Sequence, residues 1–125
     1  MTKKILTVDD DPLILMGLEI VLTDAGYIVE SCSRGEEACQ KAMAFKPDAI
    51  ILDVMLADVD GRDIARELKK CQETRHIPII MISANQFLGK DIYSCGIDLF
   101  IPKPFESEYI VNAVRKYTTH QNVPA

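Results

Sequence analysis

A short run of apolar residues that ends in an aspartate is the feature that most constrains this sequence. Ile50, Ile51 and Leu52 follow one another without a polar residue, and Asp53 comes directly after them. An uninterrupted apolar run is typical of a strand buried on both faces of a parallel sheet. Aspartate is rare in strands and costly to bury, so we expect Asp53 at the strand end, beside a cation or hydrogen-bond donor. The same residue could instead cap a turn, and this stretch alone leaves both interpretations open.

The rest of the chain alternates similar strand patterns with helical ones. Strands are predicted at residues 4–8, 27–32, 49–53, 79–82 and 99–101. Helices are predicted from Pro12 to near Ala25, after a capping-box pattern at 33–36, at 62–71, within 85–95, and at 106–117. Five strands alternating with five helices predict an α/β fold, in which right-handed crossovers join parallel strands and helices cover both faces of the sheet.

Composition predicts a single soluble domain. The chain has 125 residues, of which 48% are apolar and 26% charged, as in ordinary globular proteins with a core. We expect the domain to span residues 1–118 and a polar tail or the start of a linker to occupy 119–125. No apolar run is long enough to cross a membrane and no signal peptide is evident, so we expect a cytoplasmic protein without membrane contacts. The net charge of −5 argues against direct nucleic-acid binding.

The cysteines do not predict a metal or redox motif. Cys32, Cys39, Cys71 and Cys95 form no C-x-x-C pair. We therefore interpret them as free thiols, most of them packed as small apolar side chains.

Polar side chains follow four of the five predicted strands. They are Asp9 and Asp10, Asp53, Ser83 with Ala84, and Lys103. In open parallel sheets ligands bind outside the carboxyl ends of the strands, so these residues predict a site. Crowded carboxylates raise one another's pKa and need a cation, and oxygen ligands of this kind suit Mg²⁺. A metal ion, a lysine and a hydroxyl around one carboxylate could hold a phosphoryl group during its transfer to that carboxylate.

Four motifs in order then resemble the receiver domain of response regulators in two-component signalling. They lie at residues 8–12 (VDDDP), 52–61 (LDVMLADVDG), 82–84 (ISA) and 102–105 (PKPF). The resemblance covers residues 3–117. It implies the flavodoxin-like (βα)5 doubly wound fold, with a parallel five-stranded sheet in the order 2-1-3-4-5.

The resemblance also implies residue roles around the acceptor. Asp53 would accept a phosphoryl group from a phosphohistidine on a sensor histidine kinase or phosphotransfer protein. The carboxylates of Asp10 and Asp53 and the backbone carbonyl of Met55 would bind Mg²⁺, while Asp9 would act mainly through water. Such a protein is not an enzyme with an external substrate, because it catalyses only its own phosphorylation and dephosphorylation.

Further roles concern the capture of the phosphoryl group and the response to it. Lys103 and Ser83 would bond the phosphoryl oxygens, Ala84 would leave space for them, and the Lys103-Pro104 bond would be cis. Phosphorylation would switch the surface formed by residues 85–95, the fifth strand and the last helix, with Phe100 as the switch aromatic. That surface would control an effector domain or protein, and we also consider a homodimer through it. Phe100 lacks the hydroxyl of a tyrosine, so its coupling to the site would rest on packing.

Three other interpretations fit the sequence less well. A pseudo-receiver that binds proteins without phosphorylation is the alternative, and it is disfavoured because Asp10, Asp53, Ser83 and Lys103 are all kept. A phosphatase is disfavoured because no general acid follows Asp53 at the place where such enzymes need one. Residues 58–61 resemble part of a calcium loop but lack its terminal glutamate, so Asp60 is better interpreted as a helix N-cap.

Overall fold

A five-stranded parallel sheet forms the centre of the molecule in the computed structural model, which describes residues 2–85 and 90–120. The strands are β1 (Lys4–Val8), β2 (Ile28–Cys32), β3 (Ala49–Asp53), β4 (Ile79–Ser83) and β5 (Leu99–Pro102). The helices are α1 (Pro12–Asp24), α2 (Ala38–Phe45), α3 (Gly61–Lys70) and α4 (Ser107–His120), with 3₁₀ helices at Gly35–Glu37 and Lys90–Cys95. The strand order is β2-β1-β3-β4-β5, which confirms the predicted flavodoxin-like fold.

Two apolar cores lie on opposite faces of the sheet because strand side chains alternate between the faces. Leu6, Ile50 and Met81 contribute to the core that α2 and α3 cover. Ile51 and Ile80, the neighbours of Ile50 and Met81 along their strands, contribute to the core beneath α1 and α4. Every residue of β3 and β4 is buried, and this explains why each strand is an uninterrupted apolar run up to its last residue.

The strand register brings the predicted site residues to one edge of the sheet. Val8 is paired with Leu52, the residue before Asp53, and Ser83 is paired with Pro102, the residue before Lys103. Each of the strands β1, β3, β4 and β5 therefore ends at the same level. The residues that end or follow these strands share one crevice.

The predicted capping box at residues 33–36 is wrong. The helical turn begins as a 3₁₀ helix at Gly35, and its preceding residue, Arg34, makes no side-chain capping bond. The Asp58 carboxylate instead accepts hydrogen bonds from the backbone N–H groups of Gly35 and Glu36, at 3.1 Å each. The cap therefore comes from the loop after β3, where both carboxylate oxygens are available to two N–H groups.

The connection between β4 and β5 contains a 3₁₀ helix, Lys90–Cys95, where we predicted a short helix within 85–95. Ile92 and Cys95 are its buried residues, and their spacing of three matches one turn of a 3₁₀ helix. Residues 86–89 of that prediction lie outside the described residues. The interpretation of Asp60 as a helix N-cap is confirmed, because its carboxylate accepts a hydrogen bond from the backbone N–H of Arg62 at 2.9 Å.

The last helix continues to His120, three residues beyond its predicted end at 117. Thr118 is buried, and its hydroxyl donates to the Val114 carbonyl at 2.8 Å. This hydrogen bond allows a polar side chain on the buried side of the helix. The predicted boundary between domain and tail stays a prediction, since residues 121–125 lie outside the described part. None of the helices in the described ranges combines the length and apolar character that a bilayer-spanning segment requires.

Candidate functional site

Three carboxylates meet at the carboxyl ends of β1 and β3. Asp9, Asp10 and Asp53 can each place one oxygen within 4.8 Å of the others, and no other such acidic, histidine or cysteine trio occurs among the described residues. Asp9 is fully buried and Asp53 is 4% exposed, whereas Asp10 is exposed to solvent. Ligands can therefore approach from the Asp10 side, while the sheet and loops close the other side.

Lys103 enters the same cluster from the end of β5. Its Nζ lies 3.1 Å from Asp9 Oδ2 and 3.4 Å from Asp53 Oδ2. The Lys103 backbone N–H donates to the Ser83 carbonyl at 2.8 Å, which fixes the start of this loop against β4. The Lys103-Pro104 peptide bond is cis, as predicted. The structure thus brings Asp9, Asp53 and Lys103 into direct contact although they lie far apart in the sequence.

Both oxygens of Asp9 are already engaged within the protein. Oδ2 contacts Lys103, and Oδ1 accepts from the Asp11 backbone N–H at 2.9 Å. Asp11 in turn caps α1 by accepting from the Leu13 N–H at 2.9 Å. Asp9 is therefore a buried support for Lys103 and the loop, and its predicted role toward a metal through water stays a prediction.

The Asp53 carboxyl has a strongly perturbed pKa. Burial and the negative charge of Asp9 raise the pKa of Asp53 to about 6, against the opposing pull of Lys103 and the Met55 N–H. Burial by itself would lower the pKa of Lys103, but the charges of Asp9 and Asp53 outweigh it and the pKa is raised. The lysine is therefore a permanent cation, and one lysine does not balance three carboxylates.

The excess of carboxylates fits a divalent cation. Asp10 and Asp53 offer hard oxygen atoms near the solvent side, which is the ligand type that Mg²⁺ prefers while keeping several waters. The Met55 backbone lies beside the acceptor, because its N–H donates to Asp53 Oδ1 at 3.3 Å. The donor set is thus chemically suited to Mg²⁺ at the place predicted from the sequence.

Ser83 and Ala84 lie at the end of β4, with Ser83 buried and Ala84 exposed. The Ser83 hydroxyl oxygen accepts from the Asn85 N–H at 3.0 Å, and among the contacts of the described residues it makes no bond to Asp53. Phe100 is half-buried against the core beneath α2 and α3, and its N–H donates to the Tyr93 hydroxyl at 3.2 Å. These residues are near the predicted places, but within the described ranges the Ser83 hydroxyl makes no hydrogen bond to Asp9, Asp53 or Lys103, and Ser83 meets Lys103 only through its backbone carbonyl.

Two residues that shape the site were given no such role from the sequence. A Cβ atom added to Gly61 would lie 2.1 Å from the Asp53 carbonyl oxygen, so glycine is required where α3 begins against β3. Asp58 fastens the loop after Asp53 to the start of the helical segment at Gly35. The glycine directly after the N-cap Asp60 was a sequence signal for a close backbone contact at this position. Nothing in the sequence around Asp58 indicated its contact with Gly35.

Comparisons with known proteins agree with this geometry. The family model described as "Response regulator receiver domain" matches residues 5–115. The chain is 36% identical over 130 aligned positions to the alkaline phosphatase synthesis transcriptional regulatory protein PhoP of Bacillus subtilis (strain 168), which covers 100% of this chain and 52% of that protein. It is 35% identical to the DNA-binding dual master transcriptional regulator RpaA of Synechocystis, over 90% of this chain and 47% of that protein. The chain thus spans about half the length of these curated relatives.

Solved structures give the same result for the fold. A putative response regulator from Chloroflexus aurantiacus superimposes with a TM-score of 0.89 at 33% identity, over 95% of this chain and 99% of that one. The receiver domain of a sensor histidine kinase from Pseudomonas aeruginosa has a TM-score of 0.87 at 28% identity, over 95% and 99% of the two chains. That structure holds a magnesium ion coordinated in its active site cleft.

Proposed function

This chain belongs to the response regulator receiver domain family, and from that premise we propose that it accepts a phosphoryl group on Asp53 in a Mg²⁺-dependent reaction. The observation that carries the proposal is the Asp53 carboxylate, almost buried, in contact with Lys103 and within reach of Asp9 and Asp10. The donor would be the phosphohistidine of a sensor histidine kinase or phosphotransfer protein. The P–N bond of the donor would break as a bond forms between phosphorus and an Asp53 oxygen.

The residues of the site have distinct tasks in this proposal. With a pKa of about 6, Asp53 is mostly ionised at neutral pH and can act as the nucleophile. Asp10, Asp53 and the Met55 carbonyl would hold Mg²⁺, which when bound would neutralise charge on the transferred phosphoryl group. Lys103 would move from carboxylate to phosphoryl oxygens, and the Ser83 hydroxyl would leave the Asn85 N–H to bond them. Ala84 would leave room for the group.

The rest of the proposal concerns turnover and output. The domain would catalyse only its own phosphorylation and dephosphorylation, because no general acid follows Asp53 at the place where enzymes that cleave an external phosphoester need one. Phosphorylation would bias the surface formed by Lys90–Cys95, β5 and α4, with Phe100 responding by packing. This surface would control an effector domain or protein, or pair two copies of the chain. The intact set of Asp10, Asp53, Ser83 and Lys103 speaks against a phosphorylation-independent interaction module.

Intact-mass measurement tests the proposal. We expect incubation with Mg²⁺ and acetyl phosphate to add one phosphoryl mass to the chain, and we expect Asp53→Ala and excess chelator each to abolish it. Asp24→Asn removes an exposed carboxylate at the far end of α1 and should leave the adduct unchanged. Failure to form an adduct with acetyl phosphate, phosphoramidate or a phosphorylated histidine kinase would contradict phosphoacceptor function.

A further inference from the structure

The outer edge of β5 is bonded to side-chain hydroxyls where a further strand could pair. β5 is the last strand in the order of the sheet, and among the described strands it pairs with β4 alone. The Phe100 backbone N–H points away from β4, because it donates to the Tyr93 hydroxyl at 3.2 Å. The Asp98 carbonyl accepts from the Tyr117 hydroxyl at 3.1 Å. We call Tyr93 and Tyr117 the tyrosine cap.

The two bonds of the tyrosine cap are those that one residue of a neighbouring strand would make. The Phe100 N–H and the Asp98 carbonyl lie on either side of Leu99 in the sequence. A residue opposite Leu99 in a parallel neighbour would accept from that N–H and donate to that carbonyl. A tyrosine hydroxyl can accept or donate, and here Tyr93 does the first and Tyr117 the second.

The next position along the same edge offers no donor. Residues two apart in a strand direct their backbone groups to the same side, so Pro102 follows Phe100 on the outer edge. Proline has no backbone N–H and is therefore found on edge strands. An open edge with free N–H and carbonyl groups is a template for pairing with another chain, and folded proteins cover or interrupt such edges. The tyrosine cap and Pro102 together do this for β5.

The tyrosine cap comes from the two elements that follow and precede β5. Tyr93 belongs to the 3₁₀ helix Lys90–Cys95, and Tyr117 belongs to α4. Burial, followed by the charges of Asp98 and Tyr93, raises the pKa of Tyr117, so its hydroxyl keeps the proton that it donates. Tyr117 packs against the core beneath α1 and α4, whereas Tyr93 is 48% exposed. Water can therefore replace the Tyr93 bond more readily than the Tyr117 bond.

We propose that the tyrosine cap closes the outer edge of β5 against pairing with a second copy of this chain, and that the Tyr93 bond is the part that opens. Two copies related by a two-fold axis would pair antiparallel, with their Phe100 residues exchanging N–H to carbonyl bonds. The Tyr93 hydroxyl occupies the Phe100 N–H and so prevents this exchange. The cap acts in the unphosphorylated chain and does not involve the carboxylate site.

Amide hydrogen exchange at Phe100, followed by NMR on the full unphosphorylated chain without metal, tests the closed cap. Tyr93→Phe removes one oxygen atom and should speed exchange of the Phe100 amide by about 2- to 10-fold, the factor that corresponds to the net stabilisation by one hydrogen bond. Tyr117→Phe removes the bond to a carbonyl and should change Phe100 exchange less than Tyr93→Phe does.

Sedimentation of the double variant Tyr93→Phe, Tyr117→Phe tests the pairing that the cap prevents. We expect its average mass to rise with concentration above that of the wild type at the same concentrations. Protection of the Phe100 amide should return as the copies associate, because the partner's carbonyl then replaces the Tyr93 hydroxyl.

The matched control is Tyr27→Phe. Tyr27 directly precedes β2 at the opposite edge of the sheet, and its hydroxyl makes no hydrogen bond among the contacts of the described residues. It should leave Phe100 exchange and average mass unchanged, and so should Asp53→Ala, which separates this proposal from phosphoacceptor function.

Unchanged Phe100 exchange in a folded Tyr93→Phe would overturn the proposal. So would equal acceleration in Tyr27→Phe, a double variant that associates no more than the wild type, or association that leaves the Phe100 amide unprotected.

Discussion

At the scale of single residues, the charges of the site must offset one another, because burial destabilises an unpaired charge. Asp9 and Asp53 are almost entirely buried, and Lys103 is the cation that contacts both. An aspartate whose pKa is raised in the folded state binds its proton more tightly there than in the unfolded chain. Between the ordinary aspartate pKa near 4 and the folded value of about 6, the free energy of unfolding therefore falls as pH rises.

Replacing the acceptor should therefore stabilise the metal-free protein. We expect Asp53→Asn to raise the free energy of unfolding at pH 7.5 by about 1–3 kcal/mol, since it removes a buried negative charge from a carboxyl whose pKa is raised to about 6. The gain should shrink towards pH 4, where the wild-type carboxyl is protonated. Urea unfolding at both pH values measures it, with Asp24→Asn as a control expected within about 0.5 kcal/mol of wild type. A less stable Asp53→Asn at pH 7.5 would contradict the charge balance.

Gly61 is the second feature that acts at this scale. A methyl group there would meet the Asp53 carbonyl oxygen at 2.1 Å and the Val54 Cα at 2.9 Å, and both are backbone atoms that cannot rotate away. We expect Gly61→Ala to lower the free energy of unfolding by about 1–3 kcal/mol or more, the usual cost of overpacking, and to slow phosphorylation.

Gly17 provides the matched control, because nothing lies within 4 Å of a Cβ added there in the middle of α1. Gly17→Ala should stabilise the protein by about 0.5–1 kcal/mol through better helix propensity. Chemical unfolding of both variants compares them directly. Equal effects of the two substitutions would show that the close approach at Gly61 is not what constrains it.

At the scale of elements, the loop between β3 and α3 is closed on itself and fastened to α2. Met55 and Asp60 form an antiparallel bridge, and the Gly61 N–H donates to the Val54 carbonyl at 2.7 Å. Asp58 then joins the loop to the helical segment that leads into α2. The loop that carries the Met55 backbone is therefore held from both sides.

Removing the Asp58 cap should loosen both elements that it joins. The N–H of Glu36, with that of Gly35, lowers the pKa of Asp58, so the cap stabilises the protein above the ordinary aspartate pKa and the effect is lost as pH falls below it. We expect Asp58→Ala to have a lower urea midpoint at pH 7 than wild type, faster amide exchange at Gly35 and Glu36, and slower phosphorylation.

Asp24→Asn again serves as the exposed control for this cap, since Asp24 has no capping role. The difference between Asp58→Ala and wild type should diminish as pH falls through the lowered pKa of Asp58, where the carboxylate takes up a proton. An unchanged midpoint and unchanged exchange at Gly35 would mean that the two 3.1 Å bonds do not hold the loop in solution.

At the scale of the whole molecule, the site and the fold are linked through metal binding. The sheet brings Asp10 and Asp53 together only when β1 and β3 are paired, so an ion that binds both binds the folded state. We expect Mg²⁺ at about 100 times its dissociation constant to raise the free energy of unfolding by about 2.7 kcal/mol. Asp53→Asn should lose most of this gain, so that Mg²⁺ reverses the stability order seen without metal.

Thermal or urea unfolding with and without Mg²⁺ measures this linkage, and Ca²⁺ or chelator serves for comparison. A wild-type protein whose stability does not respond to Mg²⁺, under conditions where it is folded, would contradict the proposed ligand set. A response of equal size in Asp53→Asn would place the ion elsewhere on the molecule.

The strands, their order of occurrence and the residues at their ends were determined by the sequence itself. Uninterrupted apolar runs such as β3 need burial on two faces, and the polar residues that follow them must emerge at one edge, so Asp9, Asp53 and Lys103 could be named in advance. Only the tertiary structure decided that Asp58 caps the turn at Gly35, that the β4–β5 connection contains a 3₁₀ helix, and that Cys71 meets Met43. The two contacts depend on distances between segments far apart in the chain, and the type of helix depends on how residues 90–95 pack against the rest of the fold. Local patterns of hydrophobicity carry no information about either.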